Sequence, residues 1–474
     1  MNAKKLMTAL FLAALFILAA AQIWSRPVDR DEGFWLYTSW RLAEGELPYR
    51  DFALPHPPLA PLYYAAKIKA FGPSLYALRA ANVALFAASA LALGLAAGRR
   101  FGARAAVLAA AFFASSSLAL TWLVPIKAYA PAGAALAFAV AVWLWPGRTN
   151  KIGISRAVVV GILIGVATLA RLPLLATLAA AALGIWLASP GGPGRRVALV
   201  AATCAGTLAV TPLVVYFRVA AGEAFTFNVW GIHELFLAGE ATHRGAAALS
   251  LLVPPDPAIL ILAACVALWS PHRRILAFPL AAGFLVVAAN LVPGSSQGQY
   301  FAPAVAAFAP AAGVGAAWLW EKRKLLALGI VAAAVLVGTA RPAAKVAFGR
   351  AHKALVGPAE VYAAARLLAD HTPPDAAIYT AWPGYAALAR RKVMPGWELG
   401  YFTHRVGERL GPGERRRYHL MTYEETAAAL ADGEAAYVLD GLDTPAEIRP
   451  TLARYFREVA SRRGVTLLRY APPE

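Results

Sequence analysis

Apolar residues run along the chain in blocks of about 18 or more, the length a helix rising 1.5 Å per residue needs to cross a hydrocarbon core of roughly 30 Å. The blocks fall near 6–24, 74–97, 104–123, 129–146, 154–169, 172–188, 197–219, 255–270, 275–292, 300–320 and 325–342, which predicts about eleven membrane spans. Three stretches are too long or too polar to be turns: 25–73, 220–254 and the tail after about 343. The first carries two aromatic-rich runs, Glu32 to Leu42 and Pro57 to Phe71. In the former, Leu36 and Trp40 stand four apart and Phe34 and Tyr37 three apart, which suits a helix lying in the membrane interface.

From about 355 the pattern changes. Charge becomes denser and short β-like runs occur at Ala376 to Thr380, Ala435 to Leu439 and Val465 to Tyr470. Thr422 followed by Glu425 fits a capping box, and Thr444, Pro445 and Glu447 offer a cap, a first-turn proline and the reciprocal acid. Strands alternating with helices predict a small α/β domain. The expected fold is thus a polytopic α-helical membrane protein over 1–350, followed by a soluble C-terminal α/β domain over 351–474.

Composition supports this division and excludes other classes. Of 474 residues, 59% are apolar and 15% charged, against roughly 45–50% and about 25% in soluble domains. A soluble enzyme, a disordered tail and a disulfide scaffold are excluded. The net charge of +19 raises nucleic acid as a partner until the charge is located. Short basic clusters sit between apolar blocks, at Lys4 and Lys5, Arg99 to Arg104, Arg148 to Arg156, Arg195 and Arg196, Arg273 and Arg274, and Lys322 to Lys324. They occupy every second loop, as the positive-inside rule requires of cytoplasmic loops. The expectation is a multi-pass protein of the cell membrane with a cytoplasmic amino terminus and an extracytoplasmic C-terminal domain, and with no nucleic-acid partner. Leu6 to Ile23 reads as an uncleaved first span rather than a signal peptide, because Ala-Gln-Ile-Trp makes a poor cleavage site. Cys204 and Cys265 fall inside apolar blocks and read as small core residues. Arg415, Arg416 and Arg417 read as a solvated basic surface rather than an anion site.

Chemistry concentrates after the first span, in Asp29, Arg30, Asp31 and Glu32, and then His56, Pro57 and Pro58. Three crowded acids repel one another unless solvent, Arg30 or a cation offsets them; the bland reading is a wet loop start. Asp29 and Asp31 also have the Asp-x-Asp spacing of metal-dependent nucleotide-sugar enzymes, but they are expected outside, where nucleotide sugars are not made. No glycine-rich phosphate loop follows a strand.

The segment from Val28-Asp-Arg-Asp-Glu-Gly-Phe-Trp through Gly45-Glu-Leu-Pro-Tyr-Arg-Asp to His56-Pro-Pro-Leu resembles the first outer loop of the GT-C membrane glycosyltransferases, in their protein-mannosyltransferase and aminoarabinose-transferase branch. Leu169-Ala-Arg171-Leu-Pro, Phe227-Asn-Val-Trp-Gly-Ile-His233 and Gln299-Tyr300-Phe-Ala-Pro303 resemble later motifs of that branch, with Gln299 where relatives often carry arginine. The resemblance implies transfer of a sugar from a polyprenyl-phosphate donor to a lipid, glycan or protein acceptor at the outer face, with inversion. It implies Asp31 as general base, with Glu32 and Asp29 as the alternatives. Arg171 falls to the donor phosphate: an arginine between apolar spans usually marks a pathway or a partner, the alternative being a helix end at the surface. Lys127, in the short Val-Pro-Ile-Lys-Ala-Tyr loop, and Tyr300 join it on the substrate side. His56 and His233 match positions near which some relatives bind a divalent metal cation, against their reading as ordinary loop residues. Two other functions fit the same sequence: a transporter or flippase of lipid-linked saccharide, against which no repeat-related halves are seen, and a non-catalytic scaffold of the same fold.

Overall fold

A computed structural model describes residues 3–147, 152–237, 255–291, 297–348 and 356–473. The chain divides into two compact units, each drawn from three separate stretches. One comprises Met1–Ile23, Arg79–Val214 and Phe236–Ala347, the other Trp24–Leu78, Val215–Leu235 and Phe348–Glu474.

The first unit is helical. Among the described residues, Leu6–Ser25, Leu75–Phe101, Pro193–Ala221, Ala304–Lys322 and Lys324–Ala347 are long and apolar enough to cross a membrane, and six shorter apolar helices accompany them. The Ala304–Lys322 helix is 78% buried over its most apolar window, whereas Leu6–Ser25, Pro193–Ala221 and Lys324–Ala347 are 22% buried. The first is a central post. The others turn side chains such as Leu325, Leu336 and Val219 outward, a distribution water would penalise and lipid does not. Small residues let the helix backbones approach. A Cβ on Gly161 would stand 2.0 Å from the Thr203 carbonyl oxygen, and one on Gly206 2.2 Å from that of Val158. This is membrane-type packing through small residues.

The expected 104–123 span is two helices, Ala103–Ser115 and Ser117–Trp122, separated by extended backbone at Ser116. A buried carboxylate makes the break tolerable. Asp256 accepts the Ser117 backbone N–H at 2.8 Å and its hydroxyl at 2.6 Å, satisfying a helix start in low-dielectric surroundings. Beyond the break, the Asn82 amide donates to the carbonyls of Val124 and Pro125 at 3.1 and 2.8 Å. That clamp fixes the loop on which Lys127 sits.

The second unit holds the sheet. Five strands, β1 (Ala377–Tyr379), β2 (Lys392–Val393), β3 (Tyr437–Asp440), β4 (Phe456–Arg462) and β5 (Val465–Tyr470), lie in the order β2-β1-β3-β5-β4. β1 runs parallel to β2 and β3, with Ile378 opposite Val393 and Tyr379 opposite Val438, while β3, β5 and β4 pair antiparallel. The three expected β-runs correspond to β1, β3 and β5. The capping box at Thr422 forms: its hydroxyl accepts the Glu425 N–H at 3.1 Å and the Glu425 carboxylate accepts the Thr422 N–H at 3.1 Å. The second expected start does not form a helix. Thr444 instead accepts the Gly441 N–H at 3.2 Å within a turn, Asp443 takes a left-handed φ of 66°, and the helix begins at Arg449 with its own early Pro450. A threonine hydroxyl that bonds back to its turn is withdrawn from capping.

Two helices from the first polar stretch belong to this unit, Arg30–Ala43 and Leu59–Phe71. The sequence pattern of the first suits a helix in the membrane interface. In the structure every residue of the Arg30–Ala43 helix from Glu32 to Arg41 is buried, so this helix is a core element of its unit. Tyr37 ties it to the sheet, its hydroxyl accepting the Val393 N–H at 2.9 Å.

Candidate active-site residues

Asp29, Arg30, Asp31 and Glu32 form the start of the Arg30–Ala43 helix, and the start explains the spacing of the acids. Asp29 is the N-cap: its carboxylate accepts the Asp31 N–H at 3.0 Å, and Glu32, three residues on, accepts the Asp29 N–H at 2.9 Å. This is a reciprocal capping box. Glu32 is fully buried while so engaged, and the helix dipole favours its negative charge there. Two of the three crowded acids are therefore consumed in folding the loop. The Asp31 carboxylate is not used by the cap. It is half-buried and accepts the Tyr401 hydroxyl at 3.4 Å.

Residues far along the chain complete this setting. The Trp382 indole N–H donates to the Asp29 carbonyl at 3.3 Å, and its ring lies so close to Gly33 that a Cβ there would meet the indole nitrogen at 2.6 Å. Glycine is required by that approach. Arg30 pairs with Asp443 at 2.6 Å and places its guanidinium 4.5 Å from the centre of the Tyr401 ring. Burial, followed by the charge of Asp31, pushes the Tyr401 phenol above its ordinary range, so it faces Asp31 as a proton donor. No spacing in the sequence could have nominated Tyr401 or Trp382, since each acts across more than 350 residues.

His56 and His233 are brought together, ring centres 6.2 Å apart, with the His56 ring stacked on Trp35 at 4.9 Å. Asn228 organises this corner. Its side-chain oxygen accepts the Leu54 N–H at 2.9 Å, and it sits on a one-turn π-helix, Phe227–Gly231, that leads to His233. Tyr49 donates its hydroxyl to the His56 carbonyl at 2.7 Å. Among the described residues no three His, Cys, Asp or Glu side chains gather in a way that could hold a metal ion. Two imidazoles fall short of the three or four protein ligands of a zinc site. Among the described residues, the His56 and His233 pair alone does not complete such a site.

In the helical unit, Arg171 follows the Ile154–Ala170 helix on extended backbone. Its guanidinium lies 4.6 Å from the centre of the Tyr129 ring and 4.7 Å from that of Tyr300. Aromatic faces orient it without neutralising it, and among the described residues no carboxylate pairs with it. Lys127 is buried, donates to the Gln299 side-chain oxygen at 2.8 Å and stands 4.9 Å from the centre of the Trp122 ring. Gln299 thus serves as a neutral acceptor for a lysine where relatives often carry arginine. Arg171, Tyr300, Gln299 and Lys127 form one cationic cluster, with Tyr129 as a member the sequence did not single out.

No family model matches the chain, nor does any curated protein sequence. Solved structures do. The chain is similar over 100% of its length, and of theirs, to apo ArnT from Cupriavidus metallidurans, at 16% identity and a TM-score of 0.72. Against the same protein bound to undecaprenyl phosphate it covers 98% of its own length and 99% of the other, at 16% identity and 0.70. It also covers 97% of its own length and 72% of the other against the Archaeoglobus fulgidus oligosaccharyltransferase in complex with Zn and sulfate, at 14% identity and 0.51. These likenesses establish that the chain shares its fold with these structures.

Proposed function

We propose that this protein is an integral-membrane glycosyltransferase that moves a sugar from a polyprenyl-phosphate donor to a lipid, glycan or protein acceptor. The observation that carries the reading is the placement of Asp31: it follows the N-cap at the start of the Arg30–Ala43 helix, outside the capping box that engages Asp29 and Glu32, and its carboxylate accepts the Tyr401 hydroxyl. The GT-C-like fold, shared with a protein crystallised with undecaprenyl phosphate, supports the donor class. Arg171 and Lys127, gathered with Tyr300, support recognition of a phosphate.

In this reading Asp31 takes the proton from the acceptor nucleophile as that atom attacks the anomeric carbon. The bond from the anomeric carbon to the phosphate oxygen breaks, the polyprenyl phosphate leaves with its electron pair, and Arg171 stabilises the charge that develops there. A single displacement inverts the anomeric centre. The chain crosses the membrane about eleven times, with the amino terminus in the cytoplasm and residues 351–474 outside, where the acceptor arrives.

The test is sugar transfer from a radiolabelled polyprenyl-phosphate pool in membranes carrying wild type or Asp31→Asn at equal protein levels. Transfer by wild type, reduced by about 10²–10⁴-fold in the variant, is the expected result for loss of a general base. Equal transfer by both removes Asp31 from the role. No transfer by either, across a broad donor panel, favours a transporter or a non-catalytic scaffold.

A further inference from the structure

The Ile154–Ala170 helix starts after Gly153 with no side chain capping its first N–H groups, and a Cβ on Gly153 would meet only open space. Arg156, in its first turn, puts a cation where the helix dipole disfavours one and favours an anion. The Arg156 Nη1 is buried with no hydrogen-bond partner. Arg100, near the end of the Leu75–Phe101 helix, donates to the Leu144 carbonyl at 3.5 Å, next to the Trp145 that lines the neighbouring groove. Arg99 lies 4.2 Å from the centre of the Trp145 ring. Among the described residues no carboxylate pairs with Arg99, Arg100 or Arg156. Beside this charge opens an apolar groove of about 500 Å³ lined by Ala92, Phe138, Val142, Trp145, Val159 and Arg156 itself.

We propose that this groove binds one anionic phospholipid, its phosphate held by Arg156, Arg100 and the uncapped helix start, and an acyl chain laid along Phe138, Val142 and Val159. Half-buried cations without a carboxylate among the described residues and a helix start with no side-chain cap both gain from the same anion. Apolar walls beside them suit a hydrocarbon chain, and basic recesses between spans are where acidic headgroups bind. The occupant is a phospholipid and not the sugar donor, because Arg156 and Arg171 bracket one helix and stand about 22 Å apart along it at 1.5 Å per residue. A phosphate placed at Arg171 by the proposed function lies at the other end. In that comparison alone the inference rests on the enzymatic reading.

Native mass spectrometry of the full-length protein, delipidated in detergent, tests it with dioleoylphosphatidylglycerol and dioleoylphosphatidylcholine. Wild type is expected to retain one phosphatidylglycerol with about ten-fold preference over phosphatidylcholine, roughly one factor of 1.4 kcal/mol. Arg156→Gln abolishes the preference, and Val142→Trp fills the groove and lowers phosphatidylglycerol binding with every charge in place. Equal retention of the two lipids by wild type overturns the proposal, as does binding unchanged in both variants. Displacement of phosphatidylglycerol by equimolar undecaprenyl phosphate overturns the choice of occupant, whether or not sugar transfer is ever observed.

Discussion

At the scale of single residues, acids that look alike in sequence separate by what they accept. Glu32→Gln keeps the shape of the capping side chain but removes its charge at a buried helix start; it is expected to lower stability by about 1 kcal/mol and leave turnover within a few-fold of wild type. Asp31→Asn is expected to do the reverse, with near-wild-type thermal stability and turnover lost. Thermal denaturation and transfer assays on the two purified variants read this split directly. Arg171→Lys retains charge but replaces a flat guanidinium between Tyr129 and Tyr300 with a compact ammonium. The expected result is a rise in KM for the donor of about ten-fold, measured against donor concentration. The acids show where sequence reading succeeds and stops. Thr422 and Glu425 are recognisable as a capping box because threonine has no competing role there. Asp29 and Glu32 form the same box at the same spacing, yet read as chemistry, since a carboxylate serves both purposes and only the hydrogen bonds distinguish them.

At the scale of elements, apolar periodicity located the helices but not their interruptions. The 104–123 block carries Ser115, Ser116 and Ser117 at its middle, residues helices tolerate, and the carboxylate that makes the break possible is Asp256, distant in sequence. Asp256→Ala leaves the start of the Ser117–Trp122 helix without its acceptor, and hydrogen bonds to charged groups are worth about 1.5–3 kcal/mol each. The expected outcome is a marked fall in the thermal midpoint in detergent, with Asp256→Asn intermediate because an amide oxygen accepts one of the two bonds. β2 escaped notice because two residues carry no period. β4 escaped because it alternates weakly, with Arg457, Glu458 and Val459 all exposed. The site elements were less legible than the spans: the π-turn at Phe227–Gly231 and the aromatic clamp on Arg171 arise from packing that no local pattern encodes.

At the scale of the whole molecule, the sheet-bearing unit carries a pH dependence of its own. Glu398 is buried, accepts the Gly396 N–H at 3.0 Å, and has its carboxyl pushed up to about 7, by burial first, with Arg41 partly offsetting it and Glu46 adding to it. In the unfolded chain the same group titrates near 4.5. Folded protein thus holds a proton that unfolded protein has released between those values, so stability is full below about pH 4.5 and declines as pH rises to about 7. Glu398→Gln is expected to flatten that decline, read as the thermal midpoint of the full-length protein at pH 5, 6, 7 and 8; a parallel profile for the two proteins refutes it. Charge patterning made the membrane class legible at this scale. It did not reveal that residues 24–78 are folded with the C-terminal stretch, because hydrophobic blocks report burial and not the partner that supplies it.

That division of the chain sets an order of events during synthesis. Asp29 meets Trp382, Tyr37 meets Val393 and Arg30 meets Asp443 across 353, 356 and 413 residues. When the ribosome has released the Arg30–Ala43 helix, His56 and the Leu59–Phe71 helix, which pack on part of it, follow shortly, but Trp382 and the strand that carries Val393 are still unmade. The face that meets Trp382 and Val393 must wait through the translation of most of the protein, at about 5–20 residues per second. A premature stop near 350 would leave that wait without end, with the start of the Arg30–Ala43 helix lacking its contacts to Trp382, Tyr401 and Asp443.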